Sequence, residues 1–355
     1  MAPDSPASEI HLHNPIPTQN PKRAYIVFFI TGNPGLVEYY RTFLTHIYGS
    51  LASSSFTSLG STVFHVYGRS LSGFEASLAS RTAKSDHEGH LPFSLQEQIS
   101  KAQDELENLV REVKRVQGTQ DVRVILMGHS VGSYILLEVT RRLREKAKKG
   151  KDAVRVVGGV CLFPTVTHIA KSDSGKKATP LFNIPHFTLG VSILAKALTF
   201  FIPLSFLTFL IQKFMSFPAD AAHITASFVK SPHGVRQALH MARDEMREIT
   251  ADTWDNDIWG ALDPSTHPHP RPILRFLFAK KDHWVADETR DELMKVRGRL
   301  GDDSGDEVWK PKMEVDVEEG WVHGFCIKQS IPVAGRVTYW NSGTRLLGGG
   351  LRFSG

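Results

Sequence analysis

Residues 122–134 constrain this chain more than any other stretch. Val122, Arg123, Val124, Ile125, Leu126 and Met127 run into Gly128, His129, Ser130, Val131 and Gly132, and an apolar helical face begins at Ile135, Leu136 and Leu137. A buried strand that turns abruptly into a helix pushes its turn residue above the sheet edge, and glycines two positions to either side leave room that a side chain would fill. The pattern predicts a nucleophile elbow with Ser130 at its apex. An elbow of this kind requires a sheet whose strand ends converge on one edge.

The rest of the chain supplies such a sheet. Residues 24–30 are an unbroken apolar run of strand length, residues 36–48 place apolar side chains at helical spacing, and residues 62–67 read as another strand. A polar loop at 68–90 precedes residues 95–116, where Leu95, Ile99, Leu106, Leu109 and Val113 recur on one helical face. Strands are predicted at 154–163, 272–279 and 312–317, with a helix at 287–297. Strands alternating with helices in this way indicate an α/β fold, a mainly parallel sheet flanked by helices.

The alternation stops between residues 172 and 270, which reads as an inserted helical cap between two parts of the core, 23–171 and 271–333. Within the cap, residues 187–215 are strongly apolar: Lys196 and Lys213 bracket an uncharged core at 197–211 that Pro203 interrupts. A bilayer span needs about 20 apolar residues, so the uncharged core at 197–211 is too short to cross. Five phenylalanines in residues 200–214 favour contact with lipid over burial in a small cap. Residues 1–22, rich in Pro, Ser, His and Asn, read as a mobile leader. Beyond Ser330 a final helix would complete the core. Residues 341–355 are Gly-rich, however, so either that helix is short or 334–355 is an atypical tail.

Charge and cysteine content narrow the function. The formal net charge of +5 would suit an anionic partner, yet the basic run at 141–151 fits the solvated end of a helix, where cations complement the dipole, and no nucleic-acid partner is indicated. Two cysteines, Cys161 and Cys326, make neither a disulfide framework nor a metal site, which suits a reducing compartment. No cofactor or metal is expected.

A serine hydroxyl becomes a useful nucleophile when a histidine takes its proton and an acid orients that histidine. Both should follow Ser130 in the order acid, histidine. Asp282 lies just past a predicted strand, and His323 lies in the loop after the last one. Among rivals, His129 adjoins the nucleophile and should point away from it, packing or orienting the elbow. His283 is too close to Asp282 in sequence to serve as its partner, and His168 could line the pocket. Asp287 reads as a helix cap and Asp316 as a strand residue. An oxyanion hole needs two main-chain N–H groups. Val131 supplies one; in the turn after the first strand Pro34 has none, which leaves Asn33 or Gly35, and Asn33 is favoured by position.

Residues 30–40 (ITGNPGLVEYY), 126–134 (LMGHSVGSY), 162–165 (LFPT) and 282–285 (DHWV) together resemble the lipid droplet-associated hydrolase family, across roughly residues 24–328. The resemblance implies an α/β-hydrolase with Ser130, Asp282 and His323 as its triad, and action on sterol esters or other neutral lipids. It also implies residence on lipid droplets and the endoplasmic reticulum, with the apolar cap segment as anchor. A rival expectation is a droplet-organising or tethering protein on the same scaffold, in which residues 187–215 matter and the triad does not.

Overall fold

Strand burial explains the sheet. In β2, Ala24, Ile26, Phe28 and Ile30 face one core while Tyr25, Val27 and Phe29 face the other, so both sides of the strand are apolar and both are covered. The elements in chain order are β1 (Glu9–His13), β2 (Arg23–Ile30), α1 (Arg41–Ala52), β3 (Thr62–Arg69), α2 (Leu95–Gln117), β4 (Val122–His129), α3 (Val131–Lys148) and β5 (Val156–Leu162). They continue with α4 (Asp173–Phe182), α5 (Phe187–Thr199), α6 (Leu204–Met215), α7 (Ala219–Lys230), α8 (Gly234–Glu248), α9 (Asn256–Trp259), β6 (Ile273–Ala279), α10 (Asp287–Arg297), β7 (Lys312–Asp316), α11 (Phe325–Lys328) and α12 (Ser330–Gly343). This computed structural model describes residues 6–14, 21–53, 62–74, 91–151, 154–259, 269, 271–299 and 310–343.

The seven strands lie in the order β1-β3-β2-β4-β5-β6-β7, parallel except for β1. Leu106, Leu109, Ile135, Leu136 and Leu293, from α2, α3 and α10, close one face. Phe43, Leu44, Ile47, Val333 and Val337, from α1 and α12, close the other. After β3 the chain returns to the far side of β2 to make β4, so the winding direction reverses between β2 and β4. Sites in open α/β sheets form at the carboxyl ends of strands at such a reversal, and Ser130 follows β4 at that edge.

Two expectations change. The stretch at 1–22, expected to be a mobile leader, contains β1, paired antiparallel with β3 from Glu9 opposite Arg69 to His13 opposite His65. Ile10 and Leu12 alternate with His11 and His13, a period-two signal too short to stand out from its Pro-rich flanks. At the other end, the closing helix exists and reaches Gly343, seating Val333, Ala334 and Val337 in the core beside α1. Most of the Gly-rich tail, residues 344–355, lies outside the described residues, as does the greater part of the polar loop predicted at 68–90.

Helices α4 to α8 all fall between β5 and β6. Pro203 splits the apolar 187–215 segment into α5 and α6, and α6 packs Leu207 and Ile211 on Ala222 and Ala226 of α7. Among the described residues no single helix is long and apolar enough to cross a membrane; α4 and α5 reach that length only as a pair bent by 97°.

The elbow packs backbone closely against backbone. A Cβ on Gly132 would sit 2.3 Å from the Ile30 carbonyl oxygen, and one on Gly128 would sit 2.4 Å from the Gly132 carbonyl oxygen. Backbone cannot yield as a flexible side chain can. Gly132→Ala is expected to lower stability by at least about 1–3 kcal/mol in thermal or urea unfolding. Gly49→Ala, on an exposed turn of α1 with nothing within 4 Å of the new methyl group, is expected to leave stability unchanged or raise it by about 0.5–1 kcal/mol.

Candidate active site

Ser130 stands between β4 and α3 with φ 54° and ψ −125°, a conformation that a side chain rarely adopts and that costs on the order of 1–3 kcal/mol. The buried strand before it and the buried helix after it hold that strain. The serine is itself 7 % exposed. Val131 opens α3, so its main-chain N–H belongs to the first helical turn, whose donors have no intrahelical acceptor.

Asp282 follows β6 by three residues and His323 follows β7 by seven. The Trp284 N–H donates to Asp282 Oδ1 at 2.8 Å, which fixes the carboxylate and leaves Oδ2 to accept from His323 Nδ1 at 2.8 Å. His323 Nε2 lies 2.9 Å from Ser130 Oγ. With Nδ1–H committed to the carboxylate, Nε2 carries the lone pair that faces the serine hydroxyl. The Asp282 side chain is 3 % exposed, so little water competes for this pair. Ser130, Asp282 and His323, predicted from three separate segments, therefore meet.

The rivals go elsewhere. Asp316, the last residue of β7, accepts from the N–H groups of Glu318, Glu319 and Trp321 and so folds the loop that leads to His323. Asp287 lies in the first turn of α10 paired with Arg290, and the cap position is taken by Ala286, one residue before the expected one. His283 is exposed, while its carbonyl accepts from the Ser174 N–H. His168 adopts φ 47° and donates its N–H to the Thr250 carbonyl. His129 is buried, with burial pushing its pKa well below the ordinary histidine value, and its ring contacts Tyr40 and the His323 carbonyl. Among the described residues no group of His, Cys, Asp and Glu is placed to hold a metal ion.

The turn after β2 presses on the elbow: a Cβ on Gly32 would lie 3.1 Å from Ser130 Cβ and 2.8 Å from His129 Nδ1. Asn33 comes next. Its side-chain amide is held by α8, with Nδ2 donating to the Ala238 carbonyl at 3.0 Å and to Glu245 Oε1 at 2.9 Å. Its main-chain N–H has no acceptor among the described residues. Sequence reasoning missed Glu245, because a carboxylate on an amphipathic helix carries no local sign that it will be buried against a turn 212 residues away.

Burial, reinforced by the nearby Asp244 charge and opposed by the Asn33 hydrogen bond, pushes the Glu245 carboxyl from its ordinary value of 4.5 to about 8. The folded state thus keeps Glu245 protonated at neutral pH, whereas the unfolded chain ionises it. Its contribution to stability is complete below pH 4.5 and is lost as pH rises through about 8. Glu245→Gln keeps an acceptor for Asn33 and removes the titration. The melting temperature of the variant relative to the wild type is expected to rise from pH 5 to pH 8 and to level off above that; a gap independent of pH contradicts the assignment.

The chain matches the family of lipid-droplet associated hydrolases over residues 23–326. It is similar to the lipid droplet-associated hydrolase of Gallus gallus, with 26 % identity over 318 residues covering 89 % of this chain and 84 % of that protein. It is also similar to that of Dictyostelium discoideum, with 23 % identity covering 92 % and 90 %. Among solved structures, a peroxisomal α/β-hydrolase of Saccharomyces cerevisiae shares 13 % identity at a TM-score of 0.55, covering 95 % of this chain and 81 % of that one, a likeness that concerns the fold. An elbow at the carboxyl edge of a mainly parallel sheet, and a family match over most of its length, place this α/β-hydrolase in the lipid droplet-associated hydrolase family.

Proposed function

We propose that this hydrolase cleaves carboxylic esters of neutral lipids, sterol esters among them, at the lipid droplet surface. The observation that carries the chemistry is the unbroken run from Asp282 through His323 to Ser130, at 2.8 and 2.9 Å. His323 Nε2 takes the hydroxyl proton as Ser130 Oγ attacks the ester carbonyl, and Asp282 stabilises the imidazolium. The main-chain N–H groups of Val131 and Asn33 receive the oxyanion. Collapse of that intermediate breaks the ester C–O bond, and the imidazolium returns its proton to the departing alcohol. Water, deprotonated by His323, then attacks the acyl-serine, releasing the acid and restoring Ser130.

The surface reading rests on α5 and α6. Phe200, Phe201 and Phe214 are 73 %, 88 % and 81 % exposed, and Ile193, Leu194, Leu198, Phe206 and Phe209 are exposed beside them. So many exposed apolar side chains within one stretch of chain are costly in water and suit a lipid interface, with Lys196 and Lys213 at headgroup level. A droplet carries a phospholipid monolayer over an apolar core, so a face that inserts without crossing fits it. The same face fits the cytosolic leaflet of the endoplasmic reticulum. Because these side chains lie outside the Ser130 hydrogen-bonded run, they also support a second reading, a droplet-tethering protein with no turnover.

Ser130→Ala is expected to lose ester turnover by about 10³-fold or more and to lose labelling by a fluorophosphonate probe. Equal turnover by both proteins on every ester offered overturns the hydrolytic reading, and an unlabelled wild-type Ser130 with intact droplet binding favours the tether. Replacing Phe200, Phe201 and Phe214 together with Ser removes up to ~2 kcal/mol of insertion energy per side chain. Droplet binding in flotation assays is expected to fall at least tenfold, with turnover of a water-soluble ester unchanged.

A further inference from the structure

The loop that carries His323 is exposed at residues 317–320, Val322 and Gly324 and is held at a few points. Asp316 accepts from three of its N–H groups, Trp321 is buried, and the Gln329 carboxamide accepts from the Val322 N–H and donates to the Gly320 carbonyl. One more anchor comes from the elbow: His129 Nε2 lies 2.8 Å from the His323 carbonyl oxygen. On its other side His129 Nδ1 lies 2.7 Å from the Tyr40 hydroxyl, and that hydroxyl oxygen accepts from the Gly32 N–H at 3.2 Å.

The direction of this chain of bonds is forced. A carbonyl only accepts, so Nε2 carries the proton; in a neutral ring Nδ1 is then an acceptor, and the Tyr40 hydroxyl must donate to it. Burial keeps the His129 ring neutral and the Tyr40 phenol protonated across the physiological range, the states that this pattern needs. Phe163 and Phe325 pack edge-on against the ring at centroid distances of 6.2 and 5.2 Å and fix its plane.

We propose that His129 is a positioning residue: through Tyr40 and Gly32 it ties the main chain of His323 to the turn that carries Asn33, so that base and oxyanion turn share one register about the elbow. Both ends of the relay are main-chain groups, a C=O and an N–H, which release no proton. The relay therefore sets geometry and does not conduct protons. It depends on the reading of Ser130 and His323 as nucleophile and base.

Fluorophosphonate labelling of Ser130 and hydrolysis of p-nitrophenyl butyrate test it. His129→Phe keeps a ring and removes both bonds; the labelling rate and kcat are expected to fall about 10- to 100-fold, with KM little changed, as a misplaced general base costs. His129→Gln, whose carboxamide N–H can reach the His323 carbonyl, is expected to recover most of the loss. In a His323→Ala background His129→Phe is expected to cost much less than in the wild type, because most of its effect passes through the placement of His323. Imidazole ¹⁵N shifts should report a neutral Nε2–H tautomer for His129 throughout pH 5 to 9. Where His129→Phe does not fold, Tyr40→Phe, which removes one hydroxyl, is expected to slow labelling several-fold.

A wild-type labelling rate in a folded His129→Phe or Tyr40→Phe protein overturns the proposal, as does an Nδ1–H tautomer or a loss that persists undiminished in the His323→Ala background. If Ser130→Ala and His323→Ala both retain full turnover, the hydrolytic reading fails and the positioning role falls with it. If those two lose turnover and His129→Phe does not, the positioning role alone fails.

Discussion

The structure depends on one close approach of backbone to backbone, where Gly132 at the start of α3 meets the carbonyls of Ile30 and Thr31 at the end of β2. Without a side chain on Gly132, α3 can begin directly against the neighbouring strand. That contact holds Ser130 at φ 54° above the sheet edge and brings the turn of Gly32 and Asn33 to its side. The cost of the strained serine is met by two elements buried on both sides, which leave the turn no lower-energy path.

The partners of Ser130 reach it by a different route. Asp282 and His323 stand on loops beyond β6 and β7, and register in the parallel sheet brings those strand ends to the same edge as β4. Loops alone give poor precision, so each is trimmed by local hydrogen bonds. Trp284 fixes Asp282, Asp316 folds the approach to His323, and His129 reaches across to the His323 carbonyl. The site is a set of short loops pinned from a rigid edge, which is how an α/β sheet carries reactive groups.

The helices between β5 and β6 serve two surfaces. On the inner side α8 holds Asn33 through Ala238 and Glu245, with the carboxyl buried and kept protonated by the scarcity of water around it. Elsewhere in the same insertion, Phe200 and Phe201 in the connection between α5 and α6, and Phe214 near the end of α6, are exposed. The same stretch of chain therefore joins a buried polar contact at the turn after β2 to a set of exposed apolar side chains.

Much of this was legible in the sequence. An unbroken apolar run marked β2, and largely apolar runs, each with a single arginine, marked β4, β5 and β6, because strands buried on both faces need no polar alternation; the glycine spacing marked the elbow because only glycine permits that approach. The order of Ser130, Asp282 and His323 followed from the strands that precede them. Short or weakly patterned features were not legible: β1 hid in a Pro-rich leader, and Glu245 looked like any acid on an amphipathic helix. The sequence by itself determined which groups could react and which strands would carry them, since periodicity and residue chemistry are local. Only the tertiary structure decided that His129 would hold His323, that Glu245 would lie buried against Asn33, and that the α5–α6 phenylalanines would stay exposed. Each of these depends on segments far apart in the chain meeting at one sheet edge, or failing to find a partner, and no local pattern encodes that.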